Sequence, residues 1–553
     1  MLDASESKSV DVVIVGAGFA GLHMLWKVRQ IGLTGRIIEA EADTGGCWYA
    51  NRYPGARCDV ESVTYSYSFS DEVEREWQWS ERYPPQAEIQ RYLAFVADRL
   101  DLRRDIEFSA RVEQALFDAA TGRWTVICAN GSVYSTHILI LAVGPLTIPK
   151  MPDIPGAESF KGQSYHTARW PREGANLAGK RVGLIGTGSS GTQLIPAVAD
   201  LVEKLSVFIR TPNYVLPARN RELTTADRAY WESHKAELKA KARRMEVAGG
   251  GDVLSFESLR DIRALDIATL TEEERQEVME TCWQAGGPAP LIFAFANVYT
   301  DPAVNEIVSR FIISKIADTI TDPVLLETLT PTGYPFLAKR PCVADGYYES
   351  FLKASVEAIN VRANPIVRIV PNGIELRDGH VVPLDVIVYA SGFDAMTGSL
   401  FAIDIRGRDG VRLADTWQAG PLTYLGVAVH DFPNMFILGG PGSPSVITNV
   451  VPTNEFQVDF LGDLIAQTYL RGVDLVEADA DAQARWVQHC QDCAAQTLFD
   501  RADSWYIGAN VPGKPRVVLP YTGGTIAYQA ACAASAEKGF EGFVRSDAAA
   551  MSG

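Results

Sequence analysis

Two hexapeptides carry the clearest chemistry in this chain: Gly16-Ala17-Gly18-Phe19-Ala20-Gly21 and Gly186-Thr187-Gly188-Ser189-Ser190-Gly191. Glycine at these three positions allows a tight turn, a bare backbone that a pyrophosphate can approach, and a close crossing of helix on strand. The anion then rests on the helix N-terminus, where backbone N–H groups lack partners within the helix. That chemistry needs a strand before each turn and a helix after it. Val10 to Val15 is a β-branched apolar run, Leu22 to Ile31 has helical spacing, and Arg36 to Ile38 reads as a second strand. Lys180 to Ile185, a helical segment to Val202 and a strand from Leu205 to Ile209 repeat the order. The residue closing each second strand distinguishes the sites. Glu39 offers a carboxylate to adenosine ribose hydroxyls. Arg210-Thr211 stands where an NAD site would carry an acid, and a guanidinium pairs bidentately with a 2′-phosphate. The expectation is FAD at the first turn and NADPH at the second.

A chain of 553 residues, 47% hydrophobic, is long enough for two or three domains. The order of elements predicts an α/β fold of two Rossmann-like dinucleotide-binding domains with a helical insertion. The FAD-binding domain is expected from residues 1–147 and 393–553, the NADP-binding domain from 148–213 and 335–392, and the insertion from 214–334. Within the insertion, Thr271 and Glu274 form a capping-box pattern, and Phe311, Ile312, Ile316 and Ile320 recur at helical spacing. The basic run Lys235 to Arg244 is expected to be a solvated helix face. Leu384 to Ala390 and Asn434 to Leu438 read as buried strands, and Ser546 to Gly553 as an Ala/Ser-rich tail.

A formal charge of -17 argues against nucleic acid as a partner. No stretch approaches the roughly 18 consecutive apolar residues of a membrane span. Met1 to Ser9 lacks the basic flank and apolar run of a secretory signal, so a cytoplasmic protein is expected. The cysteines are scattered, and the lone pair Cys490 and Cys493 reads as two small residues on one helix face; no metal site is predicted. Neither His-Glu-x-x-His nor Gly-x-Ser-x-Gly on a strand-to-helix turn occurs, which disfavours a hydrolase.

Phe160-Lys161-Gly162-Gln163-Ser164-Tyr165-His166-Thr167-Ala168-Arg169-Trp170-Pro171 resembles the F-x-G-x-x-x-H-x-x-x-W-P fingerprint of type I Baeyer–Villiger monooxygenases. The Trp-Pro ending separates it from the related flavin-containing and N-hydroxylating monooxygenases. Arg172 departs from the Gly or Asp that usually follows, and Ser391 replaces the usual Thr before Gly392-Phe393-Asp394. Gly45-Gly46-Cys47-Trp48-Tyr49, Asn51 to Asp59, Lys339-Arg340 and Ser504 to Lys514 are similar to the same family. The resemblance implies that Arg340 is the active-site arginine, Asp59 its paired carboxylate, and Lys339 and Trp505 contacts to NADP. It also implies that Gly46, Cys47, Trp48, Asp59, Tyr65 and Val112 join the FAD site. Ser445, Val446 and Ile447 would border the substrate pocket, and the segment around Trp505 would form a flexible lid.

By the same resemblance, NADPH reduces FAD and O2 adds to give a C4a-peroxyflavin anion that attacks a ketone, yielding an ester or lactone. A guanidinium beside that anion suits the chemistry because it never loses its proton. The implied substrates are ketones, cyclic or bulky aliphatic ones first and aryl ones second. The competing readings are an S- or N-oxygenating flavin monooxygenase, a flavin disulfide reductase or oxidase, and a non-catalytic FAD/NADPH sensor. Oligomeric state has no signature in the sequence.

Overall fold

The computed structural model describes residues 7–244, 259 and 263–546. The first six residues and the tail beyond Ser546 lie outside the described residues. β1 (Lys8–Val15), α1 (Phe19–Gln30) and β2 (Gly35–Ile38) form a β-α-β unit with parallel strands, Val15 opposite Ile38. Val12, Val13, Ile14 and Val15 are all buried, as expected of a strand covered on both faces. β3 (Val112–Asp118), β4 (Arg123–Cys128) and β5 (Val133–Leu141) make an antiparallel meander, and β5 then runs parallel to β1.

The chain next builds a second sheet from β6 (Gln163–His166), β7 (Arg181–Ile185) and, after α2 (Ser189–Val198), β8 (Lys204–Ile209). It leaves this sheet for α3 (Thr225–Arg243), α4 (Glu272–Ala285), α5 (Ala289–Phe293) and α6 (Pro302–Thr319). β9 (Val356–Asn360) and β10 (Val386–Tyr389) complete it as five parallel strands in the order β9-β8-β7-β10-β6. β11 (Asp404–Arg406) and β12 (Met435–Ile437) return to the first sheet, beside β3 and β5. α7 (Val450–Gln467) then packs against α1. Among the described residues no helix is long and apolar enough to cross a membrane.

Two expectations need correction. α2 ends at Val198, not at Val202. The N–H groups of Glu203 and Lys204 both bond to Lys180 O, which draws the chain out of the helix and starts β8 level with β7. The basic run Lys235 to Arg244 is a solvated face only in part: Ala236, Glu237, Arg243 and Arg244 are exposed, but the run also seats the helix. Leu238 and Ala242, one turn apart, are buried and seat α3 on the rest of the molecule. Lys239 Nζ pairs with Glu74 at 2.6 Å and donates to Tyr67 O at 3.2 Å, and Arg243 pairs with Asp459 on α7. The long stems cover apolar surface while the charged ends find acids. The capping box is present in full: Thr271 and Glu274 exchange both of its hydrogen bonds.

His23 of α1 is fully buried and stacked on Phe69 at 4.1 Å, and neither ring nitrogen has a hydrogen-bond partner. Burial, then the charges of Arg243 and Lys27, hold its pKa well below the ordinary histidine value. Below the ordinary value of 6.5 the unfolded chain takes a proton that the folded chain refuses. Stability should therefore fall with falling pH by up to about 1.4 kcal/mol per unit, until the folded state also accepts the proton. Urea unfolding from pH 7.5 to 5 checks this: His23→Phe should flatten that acid slope, and an unaltered slope would assign it to other groups.

Candidate active site

The glycines of the two turns divide into those the protein crowds and those it leaves clear. Gly16 and Gly186 have φ of +107° and +105°, and a Cβ on either would lie 2.5 Å from a carbonyl oxygen, of Ala142 and Ala390 respectively. A Cβ on Gly21 would lie 1.9 Å from Gly16 O, and one on Gly191 2.2 Å from Gly186 O. In front of Gly188 nothing lies within 4 Å, and Gly18 meets only Gly46, at 3.6 Å or beyond. The first and third glycines thus close the turn and the second leaves room for a pyrophosphate, so both turns fit a dinucleotide.

Around the first turn the predicted contacts gather. Gly46, at φ +55°, crosses so close to Gly18 that a Cβ would stand 3.1 Å from its Cα. Trp48 Nε1 donates to Tyr65 OH at 3.0 Å, and Phe19 packs edge-on against Tyr65. Cys47 is open to solvent on one side, but the protein packed around it desolvates the thiol and pushes it up to about 11, so it stays a neutral thiol. Buried Glu39 accepts from the N–H groups of Ala17 at 2.6 Å and Glu41 at 2.8 Å. Burial raises its pKa while these donors lower it. Val112 is buried at the start of β3, two residues beyond Ala110, whose N–H bonds to Glu39 O.

Arg340 and Asp59 meet between the two sheets. Arg340 Nε donates to Asp59 Oδ2 at 3.0 Å and Nη2 to Oδ1 at 2.9 Å, a bidentate pair, while Nη1 donates to Val446 O at 2.7 Å. Burial works against the guanidinium charge, but Asp59 and then the buried Tyr506 hydroxyl, which also accepts a hydrogen bond from it, raise its pKa overall. Asp59 ends a segment braced on α2. Tyr53 OH donates to Gln193 Oε1 at 2.8 Å, Gln193 Nε2 donates to Arg57 O at 3.0 Å, and a Cβ on Gly55 would lie 2.3 Å from Gln193 O. Arg340 is held from the other side. Asn305 of α6 donates to Phe336 O at 2.8 Å, and Leu337 sits at φ +72°, turning the chain toward the pair.

The pair opens into a cavity of about 670 Å³, counting the part continuous with solvent. Its walls are mostly apolar: Ile292 and Phe293 from α5, with Leu337, Ile447 and Phe499. Of the three predicted pocket residues only Ile447 lines this cavity. Val446 turns its carbonyl to Arg340, and Ser445 is buried with Oγ bonded to Gly439 O at 2.9 Å. Trp505 is half-buried, and its segment is tied down: Asn510 donates to Phe393 O at 2.7 Å and Lys514 pairs with Asp394 at 2.6 Å.

The first part of the chain, residues 8–225, matches the family described as flavin-binding monooxygenase-like. Acetone monooxygenase (methyl acetate-forming) of Gordonia sp. is 40% identical over 98% of this chain and 100% of that one. A Baeyer–Villiger monooxygenase of Pseudooceanicola batsensis is likewise 40% identical, over 97% of this chain and 96% of its own. The chain belongs to the Baeyer–Villiger monooxygenases. A solved structure of oxidized steroid monooxygenase bound to NADP superposes with a TM-score of 0.90 at 44% identity, over 97% of this chain and 99% of that one.

In this Baeyer–Villiger monooxygenase the fingerprint residues do not line the cavity. Gln163 to His166 form β6, the edge strand beside β10, and Trp170 is buried. His166 Nδ1 accepts from the Ala168 N–H at 3.0 Å, so Nε2 carries the proton, 3.3 Å from Lys150 O and 3.2 Å from Ser391 Oγ. Ser391 Oγ donates to Lys150 O at 2.5 Å, so the serine keeps the hydroxyl in use. Arg210 is exposed at the end of β8 with Thr211 next to it, and Lys339 Nζ lies over the Tyr334 ring at 4.9 Å. Burial and then the charge of Arg210 lower the Lys339 pKa.

Sequence reasoning missed Tyr506, Asn305 and Lys150. Tyr506 adjoins Trp505 in a family segment and could have been found there; the other two have no local signal. Cys490 and Cys493 are free thiols three positions apart on one helix. His430, Asp431 and Glu477 could bring three ligand atoms together. Glu477 there already binds Arg408 and the Asp431 N–H, which accounts for the cluster as an ion-pair network.

Proposed function

We propose that this chain uses NADPH and O2 to convert ketones to esters or lactones, with FAD at the first turn. The observation that carries the reading is the bidentate Arg340–Asp59 pair, set between two dinucleotide turns at the edge of an apolar cavity. Residues 1–147 and 393–553 would hold FAD, through Gly16 to Gly21, Glu39, Gly46, Cys47, Trp48, Asp59, Tyr65 and Val112. Residues 148–213 and 335–392 would hold NADPH, through Gly186 to Gly191, Arg210, Thr211 and Lys339, with Trp505 reaching it from the C-terminal segment. Together the two cofactors would supply hydride and the activation of O2.

The chain's own residues supply charge, orientation and dryness. Arg340 presents a cation that no accessible pH removes, where negative charge develops on oxygen at a ketone carbonyl. Asp59 and Val446 O take three of its five N–H donors and the Tyr506 hydroxyl a fourth, leaving one for the reacting atoms. The apolar part of the wall lowers the local dielectric and strengthens that interaction. Relatives named for acetone and for steroids span a wide range of ketone size, so cyclic and bulky aliphatic ketones belong in the test beside both. Yellow purified protein should consume NADPH faster with a ketone and release the ester or lactone. Ketone-independent consumption yielding only hydrogen peroxide would refute the reading, and conversion of amines or sulfides alone would replace it with N- or S-oxygenation.

A further inference from the structure

Lys150 stands in the second nucleotide crevice with its backbone bolted in place. Its N–H donates to Gly392 O at 2.9 Å, and its carbonyl accepts from Ser391 Oγ with His166 Nε2 beside it. Pro149 bridges Phe393, and Ile148 O accepts from the Asp394 N–H at 2.9 Å. Ser391 and Gly392 follow the last residues of β10, where Tyr389 pairs with Ile185, the residue before Gly186. Lys150 is thus anchored at the carboxyl ends of the strands, where nucleotides bind in open parallel sheets.

Among the described residues neither Lys150, Arg210 nor Lys339 forms an ion pair, although nearby Lys514 is paired with Asp394 and Arg516 with Asp503. Arg210 lies near enough to both lysines that its charge, after burial, lowers the pKa of each. The carboxylates that reach the lysines, Asp394 for Lys150 and Asp503 for Lys339, are each bound by another cation, Lys514 and Arg516, which leaves Lys150, Arg210 and Lys339 in one neighbourhood without an ion-pair partner of their own, an arrangement that a dianion would relieve.

We propose that Lys150 binds the 2′-phosphate of NADPH together with Arg210 and Lys339, and that His166 and Ser391 are positioning residues that fix its backbone. This rests on the reading of the second turn as an NADPH site. It gives the fingerprint histidine a task away from the cavity: a hydrogen bond to the carbonyl of a phosphate-binding residue.

Calorimetric titration of the FAD-loaded protein with 2′,5′-ADP and with 5′-AMP tests it without turnover. Lys150→Met should weaken 2′,5′-ADP roughly tenfold, as expected for one lost charge-assisted contact, and leave 5′-AMP within about twofold; Lys150→Arg should restore binding. His166→Ala should weaken 2′,5′-ADP in the wild-type background but not in Lys150→Met, because the histidine acts through the lysine. Equal weakening of both nucleotides by Lys150→Met, or none, would overturn the lysine's role, and strictly additive effects would overturn the histidine's. Arg210→Ala separates the two levels. If it weakens 2′,5′-ADP and Lys150→Met does not, the inference alone fails; if it too has no effect, the NADPH reading fails with it.

Discussion

Arg340→Ala should lower ketone oxygenation by about 10²–10³-fold or more, the loss expected for a preorganised donor aimed at developing charge. Reduction of the flavin by NADPH should persist in that variant. The separation follows from the geometry: the guanidinium is fixed by Asp59 and Val446 O at the cavity, whereas the second turn is built by β7, α2 and Gly191. Arg340→Lys should recover little activity. An ammonium keeps the charge but cannot bond both Asp59 oxygens and Val446 O from one plane. Asp59→Ala should also be severe, because it strips the counter-charge from a largely enclosed cation. Anaerobic stopped-flow bleaching of the flavin, with product chromatography in air, separates the two half-reactions. Wild-type ester yield from Arg340→Ala would remove the arginine from the chemistry.

Gly191→Ala should give a yellow protein that NADPH reduces about 10–10² times more weakly. The added methyl would be placed 2.2 Å from Gly186 O, and overpacking of that kind commonly costs about 1–3 kcal/mol in a packed region. α2 must move away from β7, and the turn that would receive the pyrophosphate moves with it. The glycines of the first turn lie in the other sheet, so flavin should be retained even though the Asp59 segment shifts with α2. Gly21→Ala, whose methyl would meet Gly16 O at 1.9 Å, should do the converse and yield colourless protein. Absorbance per mole of chain and the KM for NADPH report each result. A yellow Gly21→Ala protein, or a Gly191→Ala protein with unchanged KM, would show that the crossings are slacker than they look.

Much of the architecture was legible because its signals are local. A glycine needed for positive φ, such as Gly16 or Gly186, and a β-branched run such as Val12 to Val15 depend on neighbours in sequence. The misreadings arose where distant partners decide. Lys235 to Arg244 resembles a solvated face because Glu74 and Asp459, which receive its charges, are far away in the chain. The end of α2 was set by Lys180 O, a backbone acceptor without any side-chain signature. The Arg340 surroundings divide likewise. Arg340 and Asp59 lie in recognisable segments, but the third acceptor is a carbonyl, Val446 O, which any residue could have supplied. Asn305 and Lys150 are ordinary polar residues whose placement comes only from packing.

The bare backbone at Gly55 has a mechanical consequence. With no side chain between them, the stretch carrying Asp59 rides directly on Gln193, so a sub-ångström slide of α2 is passed on to the carboxylate with little cushioning. Any substitution that shifts α2 at the second turn should therefore shift Asp59 as well, and with it the aim of the guanidinium.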